Sequence, residues 1–317
     1  MIDLSRWPAL VLTAGLGTRL QPLSSVRAKP ALPVAGTPLV SRILHWLTRA
    51  GIQRVVLNLH HRADTITAIV GDGSRYGLDL RYSWETQVLG SAGGPARALP
   101  LLESDRFLIV NGDTIADVDL QALAAQHVDT NAWVTMAVVD ADPRYNAITA
   151  SDAGIVTRFP NQPSGTLGTL GTVGTFGTFH FIGIQAVNAS VFAGVSPDVK
   201  SETVHGIYPS LIAKRPEAIR TFHTGAEFFD IGSPGDYLNT AVTLAAREGV
   251  PLDRGRDCDV AADALLTNTI LWDRVRVGAG ATLVDCIVAD DVIVPAGAKI
   301  SRASLVMRDN EMVATPY

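Results

Sequence analysis

The feature that most constrains this chain is a rhythm in its first third, where short apolar runs alternate with segments of helical spacing. Ala9 to Thr13 reads as a buried strand, Leu39 to Ala50 as an amphipathic helix closed by Gly51, and Arg54 to Leu59 as a second strand. Asp64 to Val70 reads as a second helix, and Phe107 to Val110 as a strand that runs into Asn111-Gly112-Asp113. Strand, helix, strand in this order implies an α/β fold with a doubly wound, mostly parallel, Rossmann-like sheet. Ligands of such sheets bind beyond the carboxyl ends of the strands.

Two stretches break the rhythm. Residues 165 to 179 repeat Gly-Thr-X five times, a period of three that suits neither helix nor strand, and reads as a flexible loop ahead of a strand at His180 to Ile184. Beyond Ala246 aliphatic residues fall at Leu271, Val277 and Leu283, then at Val288, Val294 and Ile300, with glycines at 278, 280 and 297. Those steps fit a short hexapeptide-repeat parallel β-helix with one inward aliphatic per strand. The expected domains are therefore 1–248, which carries the chemistry, and 249–317, the β-helix. About two coils bury too little core alone, so the tail is expected to dock on the first domain or on a second subunit, and the chain to be a homo-oligomer, dimer or larger.

The net charge of -5 gives no broad basic surface for nucleic acid or acidic membranes, so an anionic ligand has to be met locally. Cys258 and Cys286 make neither a disulfide framework nor a zinc motif. The N-terminal residues lack the pattern of a signal peptide, and no apolar run approaches the ~18 residues of a membrane helix, so the expected location is the cytoplasm.

The first strand delivers the chain into Gly15-Leu16-Gly17-Thr18-Arg19-Leu20, where glycines let the backbone approach a ligand closely and point N–H groups at phosphate oxygens. Leu20 stands where a dinucleotide fingerprint needs a third glycine, and no Gly-Lys-Ser/Thr of a P-loop occurs in the chain. Pro22 and Pro30 prevent a long helix from starting behind the turn. Arg19 offers a planar fork to phosphate and Lys29 a mobile point charge, a pair suited to a polyphosphate.

The whole string, G-x-G-T-R-L-x-P-L followed by K-P-x-L-P-V-x-G-x-P-L, closely resembles the signature of the sugar-1-phosphate nucleotidylyltransferases, which exchange the pyrophosphate of a nucleoside triphosphate (NTP) for a sugar 1-phosphate. The resemblance implies that Arg19 and Lys29 contact the triphosphate and that Leu12, Ala14, Gly15, Gly17 and Thr18 line the nucleotide. It implies Mg²⁺ held by Asp113, from Asn111-Gly112-Asp113, and by Asp230, from Asp230-Ile231-Gly232-Ser233-Pro234. Residues 85 to 99 resemble the family's base-recognition segment, with Glu85, Gly90 and Ser91 on the nucleotide; a carboxylate acceptor at Glu85 suits guanine best. On the sugar side Gly183, Glu202, Arg158 and Lys200 are the candidates. Here the pattern departs, because the family's Glu-Lys-Pro is replaced by Arg158-Phe159-Pro160-Asn161-Gln162-Pro163. His60 and His61 are adjacent on a strand end, point apart, and read as packing and hydrogen-bonding groups.

Three functions follow from these residues. The leading one transfers a nucleoside monophosphate from GTP to mannose 1-phosphate, because the tail resembles that of mannose-1-phosphate guanylyltransferases, which implies a left-handed β-helix. The second uses UTP and N-acetylmuramic acid 1-phosphate, since the short uridylyltransferases also lack Glu-Lys-Pro and resemble the chain at Ala92-Gly93-Gly94. The third is a catalytically silent subunit that binds a nucleotide sugar as a signal.

Overall fold

The computed structural model describes residues 2–160, 176–252 and 254–317. It divides into two compact units: Met1–Ala14, Leu44–His60 and Gly71–Phe228 form the first, and Gly15–Ile43, His61–Val70 and Phe229–Tyr317 the second. The second thus takes in the glycine-rich turn and its continuation as well as the tail.

The first unit is built on a nine-stranded sheet. Ala9–Leu12 lies between Arg54–Leu59 and Arg106–Asn111, with Asp79–Trp84 outside Arg54–Leu59, and all these pairs are parallel. The residues of Ala9–Leu12, Arg54–Leu59 and Arg106–Asn111 are apolar at most positions and largely buried on both faces, as the inner strands of parallel sheets require. The chain winds outward from Ala9–Leu12 in one direction and returns on its other side at Arg106–Asn111. Those two strands therefore flank the topological switch point. On the far side the long strand Phe176–Asn188 runs antiparallel to Arg106–Asn111, to Val134–Asp140 and to Ala147–Ser151. Phe176–Asn188 begins earlier than expected and includes the last residues of the Gly-Thr repeat; residues 165–175 of the repeat lie outside the described residues. Phe107, Ile109, Met136, Val138, Phe159 and Tyr208 anchor the core, where the Tyr208 hydroxyl finds its partner in the Gln185 side chain at 2.8 Å.

Six α-helices occur among the described residues: α1 (Leu39–Arg49), α2 (Ala63–Val70), α3 (Gly90–Leu102), α4 (Leu120–Asp129), α5 (Tyr208–Lys214) and α6 (Pro234–Glu248). The start of α1 follows its sequence pattern, with Leu39, Val40, Ile43, Leu44 and Leu47 buried at helical spacing. Ser233 caps α6: its hydroxyl accepts the Asp236 N–H at 3.2 Å and donates to the Asp236 carboxylate at 2.6 Å, with Pro234 in the first turn.

In the second unit the tail folds into short parallel strands stacked at a constant interval. Leu271 pairs with Val288, Val277 with Val294 and Leu283 with Ile300, which are the aliphatic steps read from the sequence. The stack is three strands deep, Asp259–Val260 on Arg276–Val277 on Ile293–Val294, rather than about two. Side chains repeat with it: Asn268 bonds Asp285, and Arg274 bonds Asp291, each 17 residues on. The tail closes in an antiparallel pair, Lys299–Arg308 with Glu311–Pro316.

Candidate active site

In the second unit the glycine-rich turn is wound into successive 3₁₀ turns, Thr18–Leu20, Leu23–Ser25 and Lys29–Ala31, in place of the long helix that Pro22 and Pro30 forbid. Gly17 starts the first at φ +60°, and a Cβ there would stand 3.1 Å from the Ser24 Cβ. Left-handed backbone and close approach together require glycine. Leu20 is fully buried and pins the turn, while Gly15, Thr18 and Arg19 are exposed and Ala14, at the end of the first unit, is buried. The ring Nε2–H of His61 donates to the Ser24 carbonyl at 2.7 Å, and the Ala28 N–H donates to the Thr65 hydroxyl at 3.1 Å. His60 bonds elsewhere, Nδ1–H to the Glu85 carbonyl at 2.9 Å. The two histidines thus serve different segments.

Lys29 is buried, 8% exposed, with its Nζ 3.9 Å from an Asp230 oxygen. At Gly232 a Cβ would come 2.8 Å from Arg19 Nη1, 3.0 Å from Asp230 Oδ2 and 3.2 Å from Asp236 Oδ2. Arg19, Asp230 and Asp236 therefore meet around a residue that has no side chain, with Lys29 beside Asp230. Asp236, in the first turn of α6, is added to the group by the structure.

In the first unit the expected residues gather at the carboxyl ends of the parallel strands. The Gly112 N–H donates to the Leu12 carbonyl at 2.9 Å, so Asn111-Gly112-Asp113 turns across the end of the first strand, and a Cβ on Gly112 would lie 2.5 Å from that carbonyl. Gly183, at φ +80°, sits against the Asn111 side chain, where a Cβ would come within 2.5 Å of Nδ2. Asn58, which sequence reasoning missed, is a buried bracket: its Oδ1 accepts the Thr13 N–H at 2.6 Å, its carbonyl accepts the Thr13 hydroxyl, and its Nδ2 donates to Glu85 at 2.7 Å.

Glu85 has internal work on both oxygens, since Oε1 takes Asn58 and Oε2 takes the Leu89 N–H at 2.9 Å, and the residue is 6% exposed. It bridges the strand end to α3. Glu202 likewise takes the Ser91 N–H and hydroxyl, at 3.2 and 2.6 Å, so a carboxylate already sits at the positive end of α3. The Ser91 oxygen in turn accepts the Thr203 N–H at 2.9 Å. A Cβ at Gly90 would lie 2.6 Å from both Glu202 Oε1 and the Ser201 carbonyl, so glycine lets this strap lie flat on the helix start. Glu85, Gly90, Ser91 and Glu202 are thus brought together, as a packed bracket. Arg158 and Lys200 are exposed.

In the first unit Asp113 follows the strand Arg106–Asn111, and in the second Asp230 ends Phe228–Asp230; each offers the hard oxygen donors that Mg²⁺ selects. Among the described residues no group of three or more His, Cys, Asp and Glu stands together as a protein-only cage. No helix among them is long and apolar enough to cross a membrane. Both cysteines are free thiols.

Residues 8–247 match the model of the nucleotidyl transferase family. A mannose-1-phosphate guanylyltransferase of Mycobacterium tuberculosis is 28% identical over 308 residues, covering 93% of this chain and 83% of that protein. An N-acetylmuramate alpha-1-phosphate uridylyltransferase of Neisseria meningitidis is 40% identical over 133 residues, covering 40% of this chain and 58% of that protein. Among solved structures, HddC from Yersinia pseudotuberculosis, also crystallised with GMP-PN, shares the fold at a TM-score of 0.61 and 24% identity, over 75% of this chain and 99% of that one. The match across most of the chain, and across both groups of residues described above, establishes that this protein is an enzyme of the nucleotidyl transferase family.

Proposed function

We propose that this enzyme transfers a nucleoside monophosphate from an NTP to a sugar 1-phosphate, with GTP and mannose 1-phosphate the favoured pair. The observation that carries the reading is the meeting of Arg19, Asp230 and Asp236 at Gly232, with Lys29 beside Asp230, from stretches about two hundred residues apart. Two cations on a glycine turn, next to carboxylates, suit a triphosphate whose charge must be neutralised while it is attacked.

The chemistry needs no general base, because a phosphate monoester dianion is already a nucleophile at neutral pH. A sugar-phosphate oxygen attacks the α-phosphorus in line, the bond to the β-phosphate oxygen breaks, and pyrophosphate leaves with the electron pair. Gly15, Gly17 and Thr18 bring backbone close to the phosphates, Arg19 and Lys29 hold the leaving charge, and Leu12 and Ala14 line the nucleotide. Asp113 and Asp230 are the proposed Mg²⁺ ligands; when bound, Mg²⁺ neutralises phosphate charge and orients the oxygens. Gly183, Arg158, Lys200 and Glu202 remain the sugar-side candidates. The tail is proposed to be a left-handed parallel β-helix, with 1–248 and 249–317 as the working division. A homo-oligomer is proposed because Leu265, on the tail's edge strand Leu265–Thr267, is 64% exposed.

The preference for guanine and mannose rests on the guanylyltransferase relative, whose similarity runs through the tail. It does not rest on Glu85, whose oxygens are engaged internally. The higher identity of the uridylyltransferase over its shorter match favours a second reading, UTP with N-acetylmuramic acid 1-phosphate. Pyrophosphate release with Mg²⁺, crossing GTP, UTP, dTTP, ATP and CTP with a panel of sugar 1-phosphates, separates the two. Release with GTP and mannose 1-phosphate is expected; release with UTP and the muramyl sugar alone selects the second.

A further inference from the structure

We infer that Trp272, Asp273 and Asp290 of the tail form a clamp that positions Lys29 for the triphosphate, with Arg27 as its handle. The inference rests on the nucleotide-transfer reading of Lys29 and concerns residues that neither the family signature nor the relatives assign.

The Lys29 turn, Lys29–Ala31, is short, holds Pro30 within it and is followed by Pro33, with Arg27 two residues before it. Each end is tied to the same place. At the leading end the Arg27 guanidinium forks onto Asp290, at 2.8 and 2.6 Å, and reaches Asp273 at 3.0 Å, while its carbon lies 5.1 Å from the Trp272 ring centre. At the trailing end the Pro33 carbonyl accepts the Tyr237 hydroxyl at 2.7 Å, and that hydroxyl accepts the Trp272 indole N–H at 3.1 Å. Trp272 is fully buried, and the Arg27, Asp273 and Asp290 side chains are 16%, 15% and 13% exposed, so this is no loose surface pair. The two aspartates are themselves locked, since Asp290 accepts the Asp273 N–H at 2.9 Å and Asp273 accepts the Arg256 N–H at 2.9 Å. Burial works against the Arg27 charge, and the Asp290 hydrogen bond with the Asp290 and Asp273 charges overcomes it, leaving its pKa raised.

A bidentate guanidinium pair fixes direction as well as distance. Held at both ends, the turn has little freedom to carry Lys29 away from Asp230. Pre-positioned charge is what phosphoryl chemistry exploits, and a misplacement of about 1 Å can cost on the order of a hundredfold. Arg27 is accordingly a positioning residue: it touches no substrate and acts through Lys29.

The test is NTP affinity in the full-length protein, by calorimetry with GTP and UTP and Mg²⁺, together with KM for NTP and for sugar 1-phosphate separately. Arg27→Gln and Asp290→Asn should each weaken NTP binding roughly tenfold or more, with KM for the sugar phosphate within twofold and circular dichroism unchanged. Arg27→Lys, which keeps the charge and loses the fork, should fall between. Arg274→Gln, which breaks the Arg274–Asp291 pair on the same coils, should leave NTP affinity as in the wild type. Equal NTP affinity in the wild type and in Arg27→Gln or Asp290→Asn overturns the clamp, as does an equal loss of both substrates. Should Arg27→Gln fail to fold, Arg27→Lys and Asp290→Asn decide the matter alone. Wild-type protein that binds neither nucleotide overturns the clamp and the functional reading together.

Discussion

Glycines 17 and 232 mark where backbone has been given up to bring charge close. A Cβ at Gly232 meets the flexible end of Arg19 and the Asp230 carboxylate, both of which can swing aside. Gly232→Ala is therefore expected to fold with a melting temperature within a few degrees of the wild type, yet to lose roughly tenfold or more in kcat/KM, because the groups it displaces are the ones proposed to hold phosphate. Gly17→Ala differs, since its φ of +60° and the 3.1 Å approach to Ser24 strain the backbone itself. It should cost about 1–2 kcal/mol in denaturant unfolding as well as NTP affinity. Equal losses of stability in the two variants would show that Gly232 serves packing and not the site.

Elements carry these residues with caps and stacking. Ser233→Ala removes the N-cap of α6 and should destabilise the protein by about 1 kcal/mol, read as a lowered midpoint in urea, while also freeing the Asp236 carboxylate beside Asp230. The stacked tail was legible because its aliphatic steps are periodic: Leu271, Val277 and Leu283 meet Val288, Val294 and Ile300 as the spacing demands. The strands that open and close the nucleotide side were legible for a similar reason, being short apolar runs ended by glycine. What the sequence hid are contacts that no local pattern encodes. Asn58 reads as an interruption in an apolar strand, and only the fold shows it bracketing Thr13 and Glu85. Glu85 and Glu202 read as ligand acceptors, and the fold shows that each also accepts hydrogen bonds from within the protein, Glu85 from Asn58 and Leu89 and Glu202 from Ser91. Arg27 stands in no motif, and only the fold brings Asp273 and Asp290 to it from the tail.

Across the whole molecule, stability should depend on acid through His127. The ring is buried beside Trp7, accepts the Thr135 hydroxyl on Nδ1 at 2.9 Å and donates from Nε2 to Asn188 at 3.1 Å. Burial, with a smaller contribution from the Arg106 charge, lowers its pKa from 6.5 to about 4. The folded protein holds His127 neutral while the unfolded chain protonates it near 6.5. The contribution is therefore complete above pH 6.5 and is lost as pH falls toward 4, amounting to at most roughly 3 kcal/mol. His127→Gln should flatten the fall of melting temperature between pH 6.5 and 4; an unchanged slope would assign that dependence to other groups. The central claim, transfer of a nucleoside monophosphate to a sugar 1-phosphate, is tested most directly by pyrophosphate release with Mg²⁺ and the NTP and sugar 1-phosphate panel, run on the wild type beside Arg19→Ala. The account predicts release with a defined pair and its loss in the variant. Binding of nucleotide sugars without release from any pair, or release that survives Arg19→Ala, would contradict it.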